Sequence, residues 1–269
     1  MTYQLGHSRR EIDRLMLQSE ILEPFTRRLL EQAGLRHGMT VLDVGTGAGD
    51  LAMLAGEIVG PHGTVVGIDS SRTAVDLACE RAAGRRSKNV SFRPCHIEDF
   101  HERHGFDFVV ARYVLSHQRD PVSFMQKMAR LAKDRGTLVL HEIDLVRLPL
   151  ASPRNELWEH VVRELFSRCA RASPSFAIGS QLTDVFSKAG LQAPQISYWR
   201  PRERGPAESL CTWVIELLRT LSGGDDEISV YGEGMVDLNE VNEELQRQFH
   251  AQSCRVEGMG QFGAWVRLL

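Results

Sequence analysis

Short apolar runs alternate with helical spacing through residues 36–145. The runs that predict strands are, in order, MTVLDVG, GTVVGID, NVSFRPC, FDFVVARYV and GTLVLHEI. Apolar positions at helical spacing, bounded by capping residues and glycines, predict helices after the first, second and fourth of these runs. Such an alternation is typical of a parallel α/β sheet with right-handed crossovers.

Outside this region the pattern is mainly helical. Residues 9–33 predict two short helices, the second with Pro24 in its first turn. Helical spacing also predicts helices around 152–173, 207–221 and 238–250, whereas LQAPQISYW and GQFGAWVRLL predict two further strands. We therefore expect an α/β sheet of seven strands, with helical insertions after the fifth and sixth strands.

Three glycines alternate where the first strand ends, in VLDVGTGAGD at residues 41–50. A dinucleotide-binding turn, G-x-G-x-x-G, would place its third glycine where this chain has Asp50, and an acid there would repel a pyrophosphate. The Gly-Lys-Ser/Thr end of a P-loop is also missing. The turn therefore predicts a ligand that carries little negative charge.

Composition narrows the choice of partners. The chain has 32 Lys and Arg against 35 Asp and Glu, a net charge of −3, which excludes a broad basic surface for nucleic acid. It has no signal-peptide core and no apolar run long enough to span a membrane. Its five scattered cysteines match neither disulfide nor zinc spacing. We expect a cytoplasmic protein without a metal site.

The motif D-x-G-x-G-x-G after a first strand resembles the first motif of the class I S-adenosylmethionine-dependent methyltransferases. Three further segments resemble the same family in the expected order: VVGIDSS, FDFVVARYVLSHQRDP and GTLVLHEID. The resemblance covers most of residues 36–145 and, more weakly, 176–200 with the final strand. Among the members of this family, the chain is similar to those that act on small molecules, because YQLGHSRREIDRLMLQSEIL resembles their N-terminal helix, which covers the cofactor.

The resemblance implies a Rossmann-like, mostly parallel, seven-stranded sheet whose terminal strand is antiparallel, in a single methyltransferase domain over residues 1–269. The implied parts are an N-terminal helical lid (1–35), a cofactor-binding core (36–145), helical cap insertions (146–175 and 204–252) and the remaining core (176–203 and 253–269).

The implied cofactor, S-adenosyl-L-methionine, carries no phosphate and so suits the glycine turn. Gly45 and Gly47 would let the backbone approach it closely. Asp69 would accept hydrogen bonds from both ribose hydroxyls, or instead would cap the following helix. Asp43 would order the turn or meet the ammonium group through water. The candidates at this end are Asp43, Gly45, Thr46, Gly47, Asp69 and Ser70.

The segment PCHIEDF, residues 94–100, departs from the family, which usually has an aspartate at the position of His96 to bind the adenine amine. A neutral His96 imidazole would accept one hydrogen bond, and Ile97 would offer a backbone amide and an apolar face, with Glu98 or Asp99 as substitute acceptors. Arg112, at the end of the fourth strand, would reach the methionine carboxylate or offer its carbonyl to the ammonium. The alternative is a surface arginine paired with an acid.

The implied reaction is an in-line methyl transfer to a small organic molecule, a secondary metabolite or a quinone-like ring. His117 follows the fourth strand and is the candidate general base, although a structural histidine is equally compatible with this position. Glu142 and Asp144 end the fifth strand, with His141 beside them, where they would orient a substrate hydroxyl or amine or cap the helix that follows. A homodimer is compatible with the resemblance.

Other functions stay open at this point. One is a protein that binds S-adenosylmethionine without methyl transfer, or uses it to steer a cyclisation. A nicotinamide-dependent oxidoreductase is another, although it predicts a glycine at position 50. Methylation of nucleic acid or protein is disfavoured, because ARYV stands where the Asn/Asp-Pro-Pro-Tyr signature is expected.

Overall fold

The computed structural model describes residues 9–223, 226–229 and 234–269, so residues 1–8 of the expected lid lie outside the described residues. The strands are β1 (Thr40–Val44), β2 (Thr64–Asp69), β3 (Val90–Pro94), β4 (Phe106–Arg112), β5 (Ala132–Asp144), β6 (Ala151–Ser152), β7 (Gln195–Trp199), β8 (Arg202–Arg204), β9 (Glu227–Ser229), β10 (Met235–Asp237), β11 (Arg255–Glu257) and β12 (Gly260–Arg267). The helices are α1 (Arg9–Gln32), α2 (Asp50–Val59), α3 (Arg72–Arg85), α4 (Pro121–Leu131), α5 (Glu156–Ala172), α6 (Leu182–Lys188), α7 (Glu208–Leu221) and α8 (Leu238–Ala251).

The main sheet has seven strands in the order β3-β2-β1-β4-β5-β12-β7. Strands β1 to β5 pair in parallel, whereas β12 runs antiparallel to both β5 and β7. This arrangement confirms the predicted mostly parallel sheet and its antiparallel terminal strand. Because helices cover both faces, the central strands carry apolar side chains at consecutive positions rather than only at alternate ones.

Strand β5 shows how both faces are buried. Leu138 and Leu140 pack into the cluster formed with α4 and α6, whereas Val139 packs into the cluster formed with α1 and α2. All three side chains are fully buried. The carboxyl ends of the parallel strands are therefore presented at one edge of a rigid sheet, where ligands of open α/β sheets bind.

The two short helices predicted for residues 9–33 are wrong, because the structure has a single continuous helix, α1, with Pro24 inside it. Pro24 lacks the N–H that would close one turn. Burial of the apolar side chains near Pro24 outweighs that loss, since Leu22, Phe25 and Leu29 are at most 1% exposed. The second half of α1 is thus part of the core, and the lid prediction applies only to the part before Leu22.

Helices α5, α7 and α8 form a cap with its own core, in which Trp158, Trp213 and Phe249 are fully buried. Leu22 of α1 and Leu145 after β5 belong to the same core. The short strands β6, β8 and β11 join into a small sheet at its side.

The segment 253–269 contributes to both sheets, because β11 pairs with β6 and β8 in the small sheet and β12 belongs to the main sheet. Within the described ranges, no helix has the length and apolar character needed to cross a membrane.

Candidate functional site

The predicted cofactor residues gather at the carboxyl edge of the sheet. The glycine turn follows β1, Asp69 ends β2 and Arg112 ends β4. The segment containing His96 follows β3 and stays close to β2, because the backbone N–H of Cys95 donates to the carbonyl oxygen of Asp69 at 2.8 Å. The structure therefore brings residues from four separate segments to one edge, as the pattern predicted.

The glycine turn is built so that it leaves space above Gly47. Gly45, Gly47 and Gly49 have φ angles of 72°, 53° and 82°, in the left-handed region that favours glycine. A Cβ atom at Gly45 would lie 2.5 Å from Cγ2 of Val114, and one at Gly49 would lie 2.7 Å from Cζ of Phe92. A Cβ atom at Gly47 would meet nothing within 4 Å. Packing thus fixes both ends of the turn, and its middle faces open space that a ligand can enter.

Asp43 holds this turn from below. Its carboxylate is 1% exposed and accepts a hydrogen bond from the Thr46 hydroxyl at 2.6 Å. Burial raises the pKa of Asp43 to about 6, although the Thr46 hydrogen bond and the charge of Arg112 oppose the shift. The geometry favours the first of the two predicted roles, in which Asp43 and Thr46 order the turn.

Asp69 joins the glycine turn to α3. Its two carboxylate oxygens accept from the backbone N–H groups of Gly47 and Ser71, each at 2.9 Å. The helix cap itself is Ser71, whose hydroxyl accepts from the N–H of Ala74, whereas Ser70 is exposed. A carboxylate has about four acceptor positions, so Asp69 retains capacity for ribose hydroxyls beside Gly47.

The candidate adenine segment is more exposed. Ile97 is half-buried against the core, whereas His96 is exposed. Glu98 pairs with Lys127, and this hydrogen bond lowers the pKa of Glu98. Since that carboxylate already has a partner, Ile97 is the member of this segment best placed to contact a ring.

Arg112 bonds a hydroxyl rather than an acid. Its guanidinium Nη1 donates to Thr26 Oγ1 at 3.4 Å, and that oxygen lies 3.1 Å from Nδ1 of His141. On the other side of the ring, His141 Nε2 lies 2.9 Å from Oε1 of Gln261, which also accepts from the Tyr113 hydroxyl at 2.6 Å. Burial, with the charge of Arg112, lowers the pKa of His141 to about 3, so the imidazole is neutral.

Glu142 and Asp144 anchor the turns above the sheet. Glu142 accepts from the backbone N–H groups of Val114 and Leu115 at 3.1 and 2.9 Å, and burial raises its pKa to about 8. Its Oε2 has no hydrogen-bond partner among the described residues. Asp144 accepts from the Tyr198 hydroxyl and from the N–H of Val146.

His117 ends the short turn Leu115–His117 that Glu142 holds. The residue is exposed as a whole, although desolvation of the ring lowers its pKa. Its role as a general base stays a prediction. Among the described residues, no group of three or more His, Cys, Asp or Glu side chains is arranged to hold a metal ion.

Three contributors escaped the sequence interpretation. Arg81 of α3 donates to the carbonyl oxygen of Ala48 at 2.7 Å and to Asp50 at 2.5 Å. Because this ion pair neutralises Asp50, repulsion of a pyrophosphate by Asp50 is no longer an argument against a dinucleotide. The missing glycine at position 50 still argues against one. Thr26 and Gln261 were also missed, because no local pattern marks a side chain that acts through contacts far along the chain.

A family model described as "Methyltransferase domain" matches residues 35–190. The chain is 31% identical over 173 residues to an uncharacterized 37.1 kDa protein in transposon TN4556 of Streptomyces fradiae, covering 62% of this chain and 48% of that protein. It is 25% identical over 178 residues to demethylmenaquinone methyltransferase of Lactococcus lactis, covering 62% and 71%. The chain thus spans about half the length of the first relative.

The fold also resembles a solved structure of Haemonchus contortus phosphoethanolamine N-methyltransferase 2, which was determined with phosphomonomethylethanolamine and S-adenosylhomocysteine. The TM-score is 0.56 at 18% identity, covering 94% of this chain and 57% of the other. At this identity the likeness concerns the fold alone.

Proposed function

The chain belongs to the class I S-adenosylmethionine-dependent methyltransferases, and on this basis we propose that it transfers a methyl group to a small organic molecule by in-line displacement. The observation that supports the proposal most is the turn around Gly47, which is left-handed, faces open space and is tied to the Asp69 carboxylate. Such a turn admits a nucleoside without phosphate next to an acceptor for its ribose.

In this proposal, different site residues bind different parts of the cofactor. Asp69 accepts hydrogen bonds from the ribose, Ile97 contacts the adenine and Arg112 binds the methionine carboxylate. Asp43 and Thr46 keep the glycine turn in shape, with Gly45 against Val114. Bound S-adenosylmethionine supplies an electrophilic methyl group on a sulfonium. The chain has to align the acceptor and exclude water, and alignment alone supplies roughly 7–11 kcal/mol of barrier reduction.

We further propose that the acceptor is largely apolar, as a secondary metabolite or a quinone-like ring is. At the carboxyl edge, the half-buried side chains of Tyr113 after β4 and Ile143 of β5 pack against the apolar core of the cap. A mostly apolar surface with few polar groups is typical of a small-molecule site. The name of the Lactococcus lactis relative points in the same direction.

The test is incubation of the whole chain with methyl-tritiated S-adenosylmethionine and a set of hydroxylated aromatic and quinol acceptors. We expect label in at least one acceptor, and mass spectrometry of the product then identifies the methylated atom. Calorimetry with S-adenosylmethionine is run in parallel. Binding without any label transfer would favour the alternative of a cofactor-binding protein, and binding of a nicotinamide dinucleotide instead would contradict the proposal.

A further inference from the structure

Arg112 is fixed from the side of α1. Its hydrogen-bond partner, Thr26, is fully buried and lies in the half of α1 that belongs to the core. The hydroxyl proton of Thr26 has two acceptors in reach, the carbonyl oxygen of Leu22 at 3.0 Å and Nδ1 of His141 at 3.1 Å. With either acceptor, the Thr26 oxygen keeps a lone pair for the guanidinium.

The orientation of this network follows from its far end. Gln261 Nε2 donates to the carbonyl oxygen of Met259 at 2.9 Å, which leaves Gln261 Oε1 as the acceptor toward His141. His141 therefore carries its proton on Nε2 and presents a bare Nδ1 to Thr26. Residues of α1, β5 and β12 thus form one hydrogen-bonded chain that ends at the guanidinium.

Charge and position direct Arg112 toward an anion at the cofactor edge. Asp43 and Val110 are paired in the β1–β4 register, and Arg112 lies two residues beyond Val110 on the same side of the sheet. Its positive charge reaches Asp43, His141 and Tyr113, of which the last two are neutral. A carboxylate that enters beside the glycine turn meets a guanidinium already fixed.

We propose that Thr26, supported by His141 and Gln261, is a positioning residue that orients Arg112 toward the carboxylate of the methionine portion of S-adenosylmethionine. This inference rests on the proposed function. An arginine has several rotatable bonds, and a hydrogen bond that fixes the side chain beforehand reduces the entropy lost when the ligand binds. Helix α1 thereby sets the affinity for one end of the cofactor.

Two ligands separate this role from a general structural one. S-adenosylhomocysteine carries the carboxylate, whereas 5′-methylthioadenosine shares the nucleoside but lacks the amino acid. In calorimetric titrations of the whole chain, Thr26→Val is expected to weaken S-adenosylhomocysteine binding about tenfold and to leave 5′-methylthioadenosine binding unchanged. Arg112→Ala should show the same selectivity with a larger loss, and Thr26→Ser should restore the affinity.

The double variant Thr26→Val/Arg112→Ala is expected to bind no more weakly than Arg112→Ala alone, because the two residues act as one unit. Gln261→Met releases His141 without changing α1 and should give a smaller loss with the same selectivity, so the test does not depend on the folding of Thr26→Val. Thr40→Val is the matched control, since its hydroxyl bonds Asp107 at the opposite edge of the sheet. It should leave both affinities unchanged.

Equal weakening of both ligands by Thr26→Val would overturn the inference and leave the proposed function intact. Additive losses in the double variant would overturn it as well. If the unaltered chain binds neither ligand, both the proposed function and this inference are wrong.

Discussion

At the scale of single residues, Asp69 has the most direct consequence. We expect Asp69→Ala to weaken S-adenosylmethionine binding by about tenfold or more, a loss of about 1.4 kcal/mol for each factor of ten, because it removes the proposed ribose acceptor and the partner of the Gly47 N–H. Isothermal titration calorimetry measures the change. Asp76→Ala on the exposed face of α3 is the control. An unchanged titration for Asp69→Ala would remove this carboxylate from the site.

Glu142 makes stability depend on pH. Its pKa is raised from 4.5 to about 8 by burial, so the folded chain binds a proton that the unfolded chain releases between these values. The stabilisation is complete below about pH 4.5 and is lost as the pH rises through 8. We expect the melting temperature of the unaltered chain to fall across this range by several degrees more than that of Glu142→Gln.

Thermal unfolding followed by circular dichroism between pH 5 and 9 provides the measurement. Glu164→Gln, a half-buried surface change on α5, should reproduce the pH dependence of the unaltered chain. Parallel curves for the unaltered chain and Glu142→Gln would show that this carboxyl is ionised in the folded protein.

At the scale of elements, α1 divides into two parts with different roles. Deletion of residues 1–20 removes the Arg10–Glu216 ion pair and the contact of Gln18 with Trp213, but it keeps the buried Leu22 and Phe25. We expect this truncated chain to fold with a lower melting temperature and to bind S-adenosylmethionine poorly.

Deletion of residues 1–30 also removes Leu29, which packs against Gly263 of β12, and should prevent cooperative folding. Near-ultraviolet circular dichroism and thermal melts compare the two chains. Full cofactor affinity after the shorter deletion would refute a lid in the first part of α1.

The strands of the main sheet were predictable because a strand buried on both faces leaves a continuous apolar signal, as in β1 and β5. The end of the helix after the fourth strand was not predictable in this way, since α4 ends at Leu131 and β5 begins at once with a register shift beside Phe106. Such a shift depends on the neighbouring strand. The two-residue β6 is too short to leave a pattern.

At the scale of the whole molecule, the core of the cap is joined to the sheet domain. Leu22 of α1 and Leu145 after β5 pack with Trp158 and Trp213 of the cap. We therefore expect a single unfolding transition in scanning calorimetry, with equal van't Hoff and calorimetric enthalpies. S-adenosylmethionine at about 100 times its dissociation constant should stabilise that whole transition by about 2.7 kcal/mol. Two separate transitions would show that the cap folds independently.

The overall topology also shows which parts of the site could be predicted from the sequence and which could not. Gly45, Asp69 and Arg112 lie at strand ends, so topology alone brought them together. The contacts of Thr26 with His141 and of Tyr113 with Gln261 join positions 115 and 148 residues apart. Contacts of that kind follow from how the layers pack and leave no trace in local spacing.

The clamp that Arg81 forms on Ala48 and Asp50 bears on the speed of ligand capture. Because the Ala48 carbonyl and the Asp50 carboxylate are already bonded to α3, the glycine turn does not have to rearrange when a ligand binds. Association should therefore follow one exponential phase whose rate rises linearly with ligand concentration, as in rigid docking, without the plateau that a slow rearrangement imposes.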